Sequence, residues 1–227
     1  TNRRTGFVLT LAVMVVIMLS VGVMYLAGRQ YVSAYMFVES ARAAQPGVEL
    51  SAIEQMIAGA FELSGNDLYA RRIAEYQLAR MNTLLSVQNP SDAELAQFKS
   101  AIVNGINAIE LAIARDNSDP ENHAVRGRIY SMLVETAQVE GSYERARESL
   151  DRASALDPLS PLRRLELAQL ETRAKNFGEA RRFVNEAIQL KSNYSDAFFF
   201  LTQLDIAEGN VEGAVNSTRT MISLEPT

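Results

Sequence analysis

Residues 161–194 read PLRRLELAQLETRAKNFGEARRFVNEAIQLKSNY, and the fold turns on this stretch. Leu167–Ala168 in its first half, and Phe177, Ala180, Val184, Ala187 and Leu190 in its second, fall at helical spacing with polar residues between them. Working outward, the same residue types return at a fixed interval. Ala146, Ala180 and Ala214 stand 34 residues apart, and so do Tyr143, Phe177 and Val211 three positions earlier. Ala153/Leu156, Ala187/Leu190 and Met221/Leu224 keep the same step, each followed by a breaker or turn residue: Pro158, Ser192 and Pro226. Leu167/Ala168 is answered by Leu201/Thr202. Fainter copies are Ala60/Leu63 ahead of Gly65, and Ala112 ahead of Asn117 with Arg115 in the leucine slot.

This pattern resembles the tetratricopeptide repeat, a helix–turn–helix unit of 34 residues. The resemblance implies an all-α fold: repeats stacked into a right-handed α-solenoid. The residue types fit that packing. Small side chains at Ala168, Ala180 and Ala187 let paired helices approach, while Leu167, Phe177 and Leu190 fill the gaps. Counted backwards, the register divides residues 30–227 into repeats at about 34–67, 68–119, 120–160, 161–194 and 195–227. The second has about 18 extra residues and the third about 7, both between the two helices of the unit. Asn89-Pro90-Ser91-Asp92 reads as a turn with a helix N-cap, so the helices on either side of it are lengthened. The first copy is degenerate, with Ser40/Ala41 at the large–small pair and Pro46-Gly47 at the turn.

Residues 1–29 are of another kind. Thr5–Gly28 contains no charged side chain, Arg3 and Arg4 precede it, Arg29 follows it, and all 27 acidic residues of the chain lie beyond it. As a helix this run spans about 36 Å, more than the ~30 Å of a bilayer's hydrocarbon core. Tyr25, Tyr31 and Tyr35 cluster at its second end, where aromatic rings favour the headgroup zone. We therefore expect a transmembrane helix over residues 1–29 with its flanks, touching lipid through residues 5–28. Two other readings are a cleaved signal peptide, for which the run is long and lacks a small-x-small site, and a buried core helix, which would show a polar face. Two arginines flank each end, counting Arg42, so orientation stays open, with a slight lean to a cytoplasmic N-side. Helix is expected to run almost unbroken from about residue 5 to 44, up to Pro46, so that the repeats are stiffly attached to the bilayer. The chain opens on Thr1 and closes on Pro226-Thr227, and reads as an excerpt of a longer protein.

Chemistry is sparse. The net charge is −5, against a basic nucleic-acid footprint, and there is no cysteine for disulfides, thiolate metal sites or thiol nucleophiles. His123, the single histidine, reads as a surface residue in the first turn of a helix after Ser118-Asp119-Pro120. Asp116 and Asp119 read as turn and cap residues, and Gly127 and Gly141 stand outside any phosphate-loop pattern. The pairs Arg71–Arg72, Arg163–Arg164 and Arg181–Arg182 read as solvated faces. No catalytic residue, metal ligand or cofactor is expected.

What remains is surface. In tetratricopeptide arrays the concave groove is lined by the second, fifth, ninth and twelfth positions of the first helix. The resemblance therefore points to Leu162, Leu165, Gln169 and Thr172, then to Asp196, Phe199, Gln203 and Ile206. In the third copy it points to Glu121, Ala124, Arg128 and Ser131, of which Arg128 is retained as a candidate contact. These side chains suit an apolar groove for an extended or helical peptide rather than a clamp for a terminal carboxylate. Phe198-Phe199-Phe200 cannot all face one way, because each helical step rotates about 100°. Either all three are core, or Phe198 is core while Phe199 and Phe200 turn to the groove as an aromatic anchor. The reading that follows is a membrane-anchored scaffold holding protein partners at a bacterial inner membrane, on one aqueous side. The alternative is the tail of a polytopic enzyme, since the layout resembles the C-terminal region of bacterial O-antigen ligase-like and polymerase-like glycan-transfer proteins. A part of a secretion or pilus-assembly complex would show the same features.

Overall fold

The computed structural model describes residues 3–43, 50–135 and 139–224, which form ten helices and no strand. They fall into two compact units, residues 1–73 and 74–227. Pro46 and Gly47 lie outside the described residues.

In the first unit α1 (Arg3–Ala43) is one uninterrupted helix of 41 residues, with no break at residue 29. None of its most apolar window is buried. Its C-terminal part packs against α2 (Leu50–Ser64). The contact is a stripe at helical spacing: Ser33 and Ser40 are buried and Met36 is half-buried. Ser33 Oγ donates to the carbonyl of Ala60 at 2.8 Å, and Arg29 Nη2 to that of Glu62 at 3.4 Å. Small residues admit the approach, since a Cβ on Gly59 would lie 2.7 Å from Met36 Cε. Phe37 stacks on Tyr69, at the start of α3 (Asp67–Leu85), with ring centroids 4.5 Å apart.

In the second unit, α4 (Asp92–Arg115) opens on a capping box. Glu94 N donates to Ser91 Oγ while Ser91 N donates to Glu94 Oε2 at 2.7 Å. Thus α3 and α4 are the long helices, of 19 and 24 residues, with the Asn89-Pro90 turn between them. Three helix pairs follow: α5 (Pro120–Leu133) with α6 (Ser142–Leu156), α7 (Pro161–Arg173) with α8 (Phe177–Leu190), and α9 (Ser195–Ala207) with α10 (Val211–Leu224). Proline at the first turn of α5 and of α7 starts each helix without wasting a donor. A left-handed residue stands at the same repeat position in each inter-helix turn: Gly141 (φ 72°), Lys175 (φ 62°) and Gly209 (φ 73°). The extra residues of the third copy therefore lie ahead of Gly141. Small buried residues, Ala124, Gly127, Ala146, Ala168, Ala180 and Ala187, hold the helices close, and Ile129, Leu133, Leu150, Leu167, Leu170 and Leu204 fill the interior.

Gly127 is the tightest of these approaches. A Cβ there would meet Leu150 Cδ2 at 2.5 Å and Cγ at 2.6 Å, and Leu150 is itself fully buried. Gly127→Ala is expected to destabilise the protein by about 1–3 kcal/mol despite the better helix propensity of alanine. A melting curve at or above that of the unsubstituted protein would show that α5 and α6 can move apart.

Two surface expectations are corrected by the fold. His123 is buried, with Nε2 3.0 Å from the carbonyl oxygen of Asn117, an acceptor to which this nitrogen must donate. With Asn122, whose Nδ2 donates to the carbonyls of Asp116 (2.9 Å) and Ala112, it ties the α4–α5 turn. The arginine pairs are not simply solvated. Arg163 is buried between α5 and α7, Arg164 donates to Ser154 Oγ at 2.6 Å, and Arg181 donates to Asp205 at 2.8 Å and to Glu208.

Candidate groove

The first helices of neighbouring pairs, α7 and α9, present side chains to a common hollow of about 690 Å³. Leu162, Leu165, Gln169 and Thr172 come from α7, and Asp196, Phe199 and Gln203 from α9. These seven sit at the second, fifth, ninth and twelfth helix positions, which project to one side of each helix. Phe200 also lines the hollow, whereas Phe198 does not, so the aromatic triplet divides as helical rotation requires. Phe199 is 53% exposed and Leu162 41%, so both offer apolar surface to a ligand. Leu165 is only 4% exposed and forms the floor.

That difference separates two substitutions the sequence treats alike. Leu165→Ala is expected to cost about 2–4 kcal/mol through the cavity it leaves, and Phe199→Ala under about 1 kcal/mol. Thermal melts of the two variants side by side check this, and equal losses would place Phe199 in the core.

Polar groups ring the hollow. Glu135 and Arg173 form a loose pair at 3.7 Å on its rim. Tyr194 and Asp196 stand at the start of α9. Burial, and then the charge and hydrogen bond of the Asp196 carboxylate, push the Tyr194 hydroxyl above its ordinary value, so it stays protonated and donates to Asp196. Glu135, Arg173 and Tyr194 are absent from the sequence-derived set. Arg173 is the last residue of α7 and Tyr194 precedes α9, so neither holds one of the four groove positions of the repeat, and nothing in the repeat pattern marks them.

Two candidates lie elsewhere. Ile206 lines an apolar hollow of about 530 Å³ formed by α9, α10 and Gly209 in the turn between them. Arg128 lines a smaller hollow of about 180 Å³ with Leu78, Asn82, Glu166, Gln169 and Arg173, which joins the larger one through Gln169 and Arg173. Its guanidinium is already engaged, Nη2 with Glu121 at 2.7 Å and Nη1 with Glu166 at 2.6 Å. Arg163 closes the cluster, Nη2 with Glu121 at 2.5 Å and Nη1 with Glu166 at 2.8 Å. Each carboxylate thus bridges two arginines, and α5 is fastened to α7. Burial alone raises the Glu121 carboxyl, but hydrogen bonds from Arg163 and Arg128 and the two positive charges outweigh it and hold Glu121 below the usual carboxylate range. Among the described residues, no group of three or more acidic or histidine side chains is placed to hold a metal ion.

Helices paired with short turns, small residues at the contacts, a left-handed residue closing each turn and a hollow between first helices define a tetratricopeptide-type fold. A solved structure agrees. TTC0263, a thermophilic TPR protein of Thermus thermophilus, superposes with a TM-score of 0.64 at 14% identity, covering 86% of this chain and 92% of that one. PilF of Pseudomonas aeruginosa gives a TM-score of 0.40 at 14% identity, covering 88% and 94%. The fold assignment rests on the first. No protein-family model matches the chain, and no curated protein matches it in sequence.

Proposed function

We propose that this chain is a membrane-anchored scaffold whose repeats dock a polypeptide along the groove between α7 and α9. The observation that carries the proposal is the hollow itself: exposed apolar side chains of Phe199 and Leu162 stand above a firm floor, with hydrogen-bonding groups of Gln169, Gln203 and Asp196 at its sides. That mixture suits a peptide with apolar anchors and a solvated backbone. The anchor is the apolar part of α1, which is long enough to span a bilayer and is left uncovered by the rest of its unit. Nothing among the described residues favours the glycan-transfer reading over this one.

A photo-crosslinking side chain placed at Phe199 in membranes of the native cells tests the groove. Discrete adducts are expected there, and none from the same probe at Gln189, an exposed site on α8. Identical adduct patterns at the two positions would defeat the proposal.

A further inference from the structure

The smaller hollow, of about 180 Å³, is unequally furnished with donors and acceptors. Its buried carboxylate, Glu166, has both oxygens taken, Oε1 by Arg128 and Oε2 by Arg163. Arg128 is spent in turn on Glu121 and Glu166. What is left over is a set of donors. Ser131, on α5, is only 8% exposed, and its hydroxyl has no hydrogen-bond partner among the described residues. Ser149 and Ser40 return their hydroxyls to helix carbonyls, of Arg145 at 2.6 Å and of Phe37 at 2.7 Å. Ser131 does not, and a buried hydroxyl is costly until something bonds it.

Arg173 reaches the same hollow from the end of α7. Its one ion pair among the described residues is the loose contact with Glu135 at 3.7 Å, and Glu135 is 59% exposed. Giving up that contact returns Glu135 to water at little cost. Asn82 on α3 and Gln169 on α7 add exposed side-chain amides, while Leu78 and Leu150 give an apolar wall. An ammonium group entering this space would meet the guanidiniums of Arg128 and Arg173 and a carboxylate already engaged at both oxygens. A carboxylate would meet a guanidinium with N–H groups to spare, an unpartnered hydroxyl and two amides. Such charge-assisted bonds are strong, and more so beside a wall that excludes water.

We infer, on the footing that the groove between α7 and α9 docks a polypeptide, that the smaller hollow is its carboxylate subsite. The docked polypeptide places an aspartate or glutamate side chain there, bonded to Arg173 and Ser131. The two hollows share Gln169 and Arg173, so a backbone lying along the larger one reaches the smaller with a side chain. Arg173 then sets specificity, although it holds none of the four groove positions of the repeat.

The test uses the full chain in lipid nanodiscs and a bead library of acetylated, amidated nonapeptides, with leucine fixed at the centre and the other positions varied. Peptides are expected to bind, and F199A to weaken them. Among the binders, Asp and Glu together are expected to be enriched about fivefold or more at one position relative to the leucine. R173Q is expected to bring that enrichment below about twofold while peptides still bind, and S131A to lower it, which supplies a second comparison should R173Q fold poorly. Binders without acidic enrichment overturn the inference and leave the groove standing, and so does an enrichment that R173Q and S131A both leave unchanged. A library with free C-termini in which the preference moves to the chain end also overturns it, because the ligand is then a terminal carboxylate. No binding peptide, or binding indifferent to F199A, defeats the groove itself and the subsite with it.

Discussion

Replacing Val16 and Leu19 together by aspartate is expected to release the protein from membranes. Both side chains lie mid-helix and are more than three-fifths exposed in the folded unit. Among the described residues nothing covers them, whereas the proposed membrane anchor rests on them. An aspartate at the centre of a spanning helix disfavours insertion by about 2.5–3.5 kcal/mol, so two shift it by roughly 5–7 kcal/mol, a factor of thousands or more. Alkaline carbonate extraction reads the outcome: the unsubstituted protein stays in the pellet and V16D/L19D moves to the supernatant, while its melting curve is unchanged. The opposite pattern, loss of cooperative melting with no change in partition, would mean that this run is core against an unseen partner.

Removing one charge from the α5–α7 cluster is expected to be the most damaging single change in the repeats. Glu166→Gln keeps the shape but leaves Arg128 and Arg163 sharing Glu121, with only a long contact from Arg163 to Asp157 at 3.8 Å besides, and Arg163 is buried. Removing one partner of a buried ion pair costs about 3–5 kcal/mol. For a chain of this size that lowers the melting midpoint by about 6–20 °C. Acid acts on the same cluster. The Glu121 carboxyl is depressed in the folded protein, so its contribution is fully present above its ordinary value of 4.5 and is lost as pH falls through the lower folded value. The melting midpoint should hold between pH 7 and 5 and drop below about pH 4, with a smaller drop in Glu121→Gln. Parallel pH profiles for the two proteins would show that Glu121 does not titrate with folding.

The stacking of helix pairs is readable in the chain because it depends on residue size at fixed spacing. Alanines at 146, 180 and 214 and large residues beside them state where two helices can touch. The positions of α7 and α9 that face the groove follow from helix geometry once the register is known. The groove's depth does not. Leu165 and Phe199 hold the same helix position, yet one is floor and the other is exposed, a difference that helix position alone does not set.

Charged residues were the least legible. Glu121 and Arg128 stand seven apart on one helix face, so their pairing is visible in sequence, but Glu166 arrives from 38 residues away and converts a surface pair into a half-buried ring. His123 and Arg163 are buried for the same reason, having been enclosed by residues brought together only on folding. By itself, then, the sequence determined the all-helical repeat architecture, the long apolar first helix and the face of each helix that looks inward, all of which depend on local periodicity. Which charges are paired and which groove residues are floor or wall were decided by tertiary structure, because burial and ion pairing depend on contacts between residues far apart in the chain.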